Sequence, residues 1–140
     1  MNKILLLLLF ISCNSYYKTS KDSDQKIISL ERTACFGKCP IYKIEIFSDG
    51  KCIYEGKKFV EKIGYYNYTI PQSEIKKILS IAKKINFFQM KDEYVEPISD
   101  LPTTFILIKN KKVKKYSGAP KSLKILEDLI DRTYKTYMSR

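Results

Sequence analysis

The densest chemistry in the sequence is Cys35-Phe36-Gly37-Lys38-Cys39-Pro40, two thiols around a glycine, with a third thiol at Cys52. In an oxidising compartment two cysteines at this spacing can close a small ring. Pro40 biases Cys39 towards extended geometry and so favours a strand immediately after it. A Cys35–Cys39 bridge would close only a short loop, worth roughly 2 kcal/mol of chain entropy, so it is expected to shape a corner rather than hold the fold together. Three other uses of these thiols stay open at this point. A redox pair of thioredoxin type would carry two intervening residues and a helix N-terminus that lowers the thiol pKa. A metal site would need a fourth ligand beyond Cys35, Cys39 and Cys52. Other pairings or free thiols remain, and the facing of Cys52 depends on the length of the turn before it.

Asp92, Glu93, Glu96 and Asp100 form an acidic segment. Hard-cation binding or paired-carboxylate hydrolysis would both want such oxygens, but the segment has neither the spacing nor the glycine of a calcium loop. Turn capping and pairing with lysines are the simpler expectation. Tyr42, Tyr65, Tyr66, Tyr68 and Tyr94 could line a binding surface, because phenols offer large contact area at low entropy cost, although on strands such residues are commonly half-buried. Histidine is absent, which removes the commonest general base and the commonest neutral metal ligand. There is also no nucleophile elbow, no phosphate-cradling loop and no dinucleotide fingerprint. The expectation is a non-catalytic binding or scaffolding module without metal or cofactor. The enzyme alternatives are a hydrolase using the acidic segment 92–100 and a thiol-redox protein using Cys35 and Cys39.

The first residues specify location. Lys3, the apolar run Ile4 to Ile11, then Ser12 and Cys13 read as a secretory signal, whereas a membrane-spanning helix needs about 20 apolar residues. Phe10-Ile11-Ser12-Cys13 resembles a lipobox, with Phe10 where leucine is usual. This predicts that residues 1–12 are a signal peptide and that Cys13 becomes the lipidated N-terminus. Asn14, in place of the Asp that typically signals inner-membrane retention in enteric-type bacteria, points to the outer membrane with the domain facing the periplasm. Residues 13–25 are polar and aperiodic and read as a flexible linker that holds the domain on the order of 20 Å from the lipid surface.

The remaining chain, 26–140, has the length of one domain with a modest core. Its excess of basic residues could steer it to anionic partners such as an anionic glycan or lipid headgroups. Arginine, the better bidentate phosphate ligand, occurs only at 32, 132 and 140, which disfavours nucleic acid. The expected partners are the membrane, through the anchor, and another envelope protein or an anionic glycan.

The elements that must position these residues read as strands first. Ile27, Ile28 and Leu30 lead to the cysteine loop, and Tyr42-Lys43-Ile44-Glu45-Ile46 alternates so that Tyr42, Ile44 and Ile46 face the core. Asp49-Gly50 predicts a hairpin returning through Cys52 to Glu55. Phe59 to Ile63 and Tyr65 to Ile70 read as extended. Pro71 opens a helix with Ile75, Ile78, Leu79, Ala82 and Ile85 on one face, closed by Phe87, Phe88 and Met90. A loop from Lys91 to Pro102 precedes a second hairpin, Thr103 to Ile108 and Val113 to Tyr116. Gly118-Ala119-Pro120 then starts a last helix with Leu123, Leu126, Leu129, Ile130, Tyr134 and Tyr137 in one stripe. This order predicts an α+β fold, an antiparallel sheet of about six strands with two helices packed on one face.

The pattern Cys35-Phe36-Gly37-x-Cys39-Pro40-x-Tyr42 is followed by Asp49-Gly50, Tyr54-x-Gly56, Gly64-Tyr65, Phe87-Phe88, Asp92-Glu93-Tyr94, Asp100-Leu101-Pro102-Thr103-Thr104 and Tyr116-x-Gly118-Ala119-Pro120. Together these resemble a family of uncharacterised bacterial lipoproteins, a domain of unknown function found mostly in secreted or lipid-anchored proteins. The resemblance covers about residues 27–132. It implies domain extent and location, and it assigns no substrate, cofactor or catalytic residue.

Overall fold

A computed structural model describes residues 24–97 and 100–138. The signal segment, Cys13 and the linker as far as residue 23 lie outside the described residues. The order is β1 (Lys26–Arg32), β2 (Ile41–Phe47), β3 (Lys51–Lys58), β4 (Gly64–Thr69), α1 (Gln72–Lys84), a 3-10 turn (Phe87–Gln89), β5 (Glu93–Tyr94), β6 (Thr104–Ile108), β7 (Lys111–Lys115) and α2 (Lys121–Tyr137). All strands join one sheet in the order β4-β3-β2-β1-β6-β7-β5. Every pairing is antiparallel except that of β5 with β7.

The α+β class is as expected, with seven strands among the described residues rather than about six. The additional strand, β5, lies in the segment expected to be a loop. Two residues carry no periodicity, and the pairing is imposed from β7: Lys114 N–H donates to the Asp92 carbonyl at 2.8 Å and Tyr116 N–H to that of Tyr94 at 2.9 Å. The stretch Phe59 to Ile63, expected to be extended, is the turn between β3 and β4, with Phe59 in the left-handed region at φ 55°.

Alternation along the strands buries Ile28 and Leu30, Tyr42, Ile44 and Ile46, Cys52 and Tyr54, and Ile106 and Ile108. Ile75, Ile78 and Ala82 of α1 and Leu123, Leu126 and Ile130 of α2 complete the same cluster. Burial of such side chains, at about 2 kcal/mol each, is the main force holding helices to sheet. Pro71 and Pro120 precede the two helices, and neither start has a side-chain cap; Glu74 and Leu123 close the first turns on the proline carbonyls at 3.0 Å. Asn86, at φ 55°, turns the chain out of α1 and drops Phe87 into the core.

Two glycines are required by close approach. Gly50 closes the β2–β3 hairpin at φ 95°, where a Cβ would meet the Ile70 carbonyl. At Gly56 a Cβ would run into the Lys62 carbonyl oxygen and the Tyr54 ring.

Candidate functional site

Arg32 ends β1, opposite Tyr42 of β2 on one side and Thr104 of β6 on the other. Strand register therefore gathers three polar side chains at one end of the sheet. α2 crosses there and presents Glu127 and Asp131, one helical turn apart and hence on one face. Arg32 Nε donates to the Tyr42 hydroxyl at 2.7 Å, Nη1 to Glu127 Oε2 at 3.1 Å and Nη2 to Asp131 Oδ2 at 2.8 Å. The Tyr42 hydroxyl donates to Asp131 Oδ1 at 2.7 Å, and Lys115 Nζ donates to Glu127 Oε1 at 2.5 Å. Glu127 is 1% exposed, so its two cationic partners are what make the burial of its charge tolerable.

The network is internally saturated. Burial opposes the charge on Arg32, but Asp131, Tyr42 and Glu127 outweigh it and hold the guanidinium above its ordinary pKa. Burial, reinforced by Asp131 and only partly offset by Arg32, pushes the Tyr42 phenol well above its usual range. Two cations face two carboxylates, and the Tyr42 proton is committed to Asp131. This arrangement orders α2 on the sheet and leaves no spare base.

Beside it the aromatic side chains continue. Tyr42 stacks on Tyr54 with centroids 5.9 Å apart, and Tyr54 stacks on Tyr134 of α2 at 4.9 Å. The edge of this stack forms one wall of a cleft of about 140 Å³, lined by Tyr54, Glu61, Lys62, Tyr134, Lys135 and Met138.

The five tyrosines singled out in the sequence do not share one surface. Tyr42 and Tyr68 point inward and are buried, and the Tyr68 hydroxyl bonds Thr133 Oγ1 at 3.2 Å. Tyr65, on the opposite face of β4, is exposed and donates to Glu55 Oε1 at 2.8 Å. Tyr66 is half-buried beside Tyr54, with its hydroxyl on the Ile63 carbonyl at 3.1 Å. Tyr94 lies on β5, at the other edge of the sheet, and accepts from Lys91 N–H at 3.2 Å. Period two explains the division, since neighbours on β4 must point to opposite faces.

The acidic segment is likewise dispersed. Asp92 pairs with Lys111 and Glu93 with Lys114, both on β7. Glu96 lies against Gly118, and Asp100 is exposed. Among the described residues no three Asp, Glu or Cys side chains converge to hold a metal.

Cys35 and Cys39 stand at disulfide-bonding distance, with Cα atoms 5.7 Å apart, and the loop lifts Phe36 into solvent at 91% exposure. Cys52 is free and buried, and burial pushes its thiol up to about 12.

The sequence assigned no site role to Arg32, Thr104, Lys115, Glu127, Asp131, Tyr54 or Tyr134, although Tyr54 and Thr104 lie in the family pattern and Tyr134 on the apolar stripe of the last helix. One signal was available: Glu127 follows Leu123 by four positions and so falls on the apolar stripe of α2, where a carboxylate demands a partner.

The family model for a domain of unknown function (DUF6438) matches residues 26–134. No protein of curated function matches the chain.

Proposed function

We propose that this chain, which belongs to the DUF6438 family of domains of unknown function, is a lipid-anchored envelope protein acting as a non-catalytic binding or scaffolding module. In this reading Cys13 carries the lipid, the domain faces the periplasm from the outer membrane, and both helices cover one face of the sheet. The partner is another envelope protein or an anionic glycan.

The observation that carries the reading is where large apolar side chains meet solvent. The linker arrives at Lys26, at the sheet end that holds the 48–50 and 109–110 turns. The opposite end carries the β1–β2 and β3–β4 loops and the connection from β5 to β6. On these loops Phe36, Phe59, Ile63, Val95 and Leu101 are all exposed. Apolar side chains exposed along the loops at one end of the sheet, opposite the end where Lys26 enters, suit a partner. Lys38 on the β1–β2 loop and Lys57 and Lys58 at the adjoining end of β3 are exposed and favour an acidic one. The saturated Arg32 network and the lysine-paired acids at 92 and 93 argue against an assembled acid–base site.

Photocrosslinking from position 36 in intact cells tests this. A reproducible adduct from position 36, absent from position 73 on α1 and lost when Leu101 is replaced by Ser, is expected. Equal labelling from both positions, or none from 36, would overturn it. Cys13→Ala should release the protein from the membrane fraction or leave it unprocessed; mature-size protein still in membranes would remove the anchor.

A further inference from the structure

Tyr54 is 1% exposed, yet its hydroxyl has no hydrogen-bond partner among the described residues, whereas the hydroxyls of Tyr42, Tyr66 and Tyr68 each have one. No side-chain nitrogen or oxygen among the described residues is both sealed from solvent and unpaired. The Tyr54 hydroxyl must therefore reach accessible space, and the space that Tyr54 borders is the cleft beside α2. Proximity to Tyr134, Tyr66, Asp131 and Glu61 adds to burial in holding the proton on this phenol up to about 12, so it is available as a donor and an acceptor.

The other walls narrow the ligand. Tyr134 contributes a ring, Glu61 an exposed carboxylate, and Lys62 an ammonium group that donates to the Met138 carbonyl at 3.3 Å. Glu61 opposes an anionic group in the cleft, while Lys62 and Lys135 oppose a cationic one. A neutral group with an apolar face and several hydroxyls satisfies all of them: the face lies on an aromatic ring, and the hydroxyls donate to a carboxylate and exchange hydrogen bonds with phenols. At about 140 Å³ the cleft is smaller than the pockets that enclose drug-sized ligands, and it suits one ring rather than a chain.

We propose that the Tyr54–Tyr134 cleft binds a single sugar ring of a glycan, with Tyr54 and Glu61 hydrogen-bonded to its hydroxyls. This rests on the reading of the domain as a binding module and narrows its glycan partner: the ring held in the cleft is an uncharged unit, and any acidic groups of the glycan lie outside the cleft. Saturation-transfer NMR on the full chain in detergent, with glucose, galactose, mannose and N-acetylglucosamine as probes, tests it. At least one sugar should receive saturation. Tyr54→Phe, which keeps the ring stack and removes only the hydroxyl, should weaken that binding by about tenfold. Glu61→Gln, at an exposed position where folding is not at stake, should also weaken it. Saturation of none of the four sugars, or binding unchanged in both variants, would overturn the proposal. In that event a persistent adduct from position 36 would leave the binding-module reading standing, and loss of both would end it.

Discussion

Arg32 and Asp131 are joined both directly and through Tyr42. Nη2 meets Oδ2 at 2.8 Å, while Nε holds the Tyr42 hydroxyl that donates to Oδ1. Asp131→Ala would leave a half-buried guanidinium and a buried phenol short of partners. The expected loss is about 3 kcal/mol in urea unfolding. Asp128→Ala, which removes an exposed partner of Lys124 on the same helix, should cost less than about 0.5 kcal/mol. Equal losses would mean that the ring of contacts contributes nothing.

Alkaline pH should unfold the domain through its buried phenols and thiol. Tyr54 and Cys52 are pushed up to about 12, and Tyr42 and Tyr68 are pushed up as well, in each case with burial as the leading cause. Raised values mean that the folded state keeps protons that the unfolded chain releases first. Their contribution is therefore fully present below the ordinary phenol and thiol range and is lost as pH climbs towards about 12. Tyrosinate absorbance should rise in more than one step, the last of them, from the buried group, together with loss of ellipticity. A single early step with the fold intact would contradict this.

The Cys35–Cys39 ring is small, so replacing both cysteines by serine should lower stability by about 2 kcal/mol or less and leave the fold in place. The larger expected effect is on Phe36: its presentation loosens, and crosslinking from position 36 falls. Non-reducing peptide mapping should find Cys35 linked to Cys39; a link to Cys52 would refute the pairing.

Gly56→Ala should be more harmful than Gly64→Ala. At Gly56 the new methyl meets the Lys62 backbone and the Tyr54 ring, and about 2 kcal/mol of overpacking is expected. At Gly64 there is open space, and only the positive φ opposes the change, at about 1 kcal/mol. Thermal unfolding of the two variants gives the order directly.

What the sequence revealed was local. The Asp49-Gly50 hairpin, the inward face of Tyr42, Ile44 and Ile46, and helices beginning after Pro71 and Pro120 are set by residues a few positions apart, and all occur as expected. In the acidic segment the expected pairing with lysines occurs at Asp92 and Glu93, but its partners, Lys111 and Lys114, could not be read locally because they are set by the pairing of β5 with β7. The Arg32 network was illegible because it joins Arg32 to Thr104, Glu127 and Asp131, brought together only by sheet order and the crossing of α2. The environment of Tyr54 was illegible for another reason: which face of its strand points inward depends on the length of the turn before Cys52, and nothing local announces that a buried phenol lacks a partner.

The central place of β1 bears on how the chain reaches its fold. Strands β1 to β4 are sequential neighbours and can zip from hairpin to hairpin, but the second edge of β1 stays bare until β6 pairs with it across 72 residues. In that interval Ile28 and Leu30 sit on an open strand at what will become the middle of the sheet. An unpaired edge beside uncovered aliphatic residues is an invitation to intermolecular strand pairing. Closing so long a loop is also the slow, entropically opposed step. The vulnerable species is therefore the nascent half-sheet, and its exposure lasts until the segment Thr104–Ile108 has been supplied.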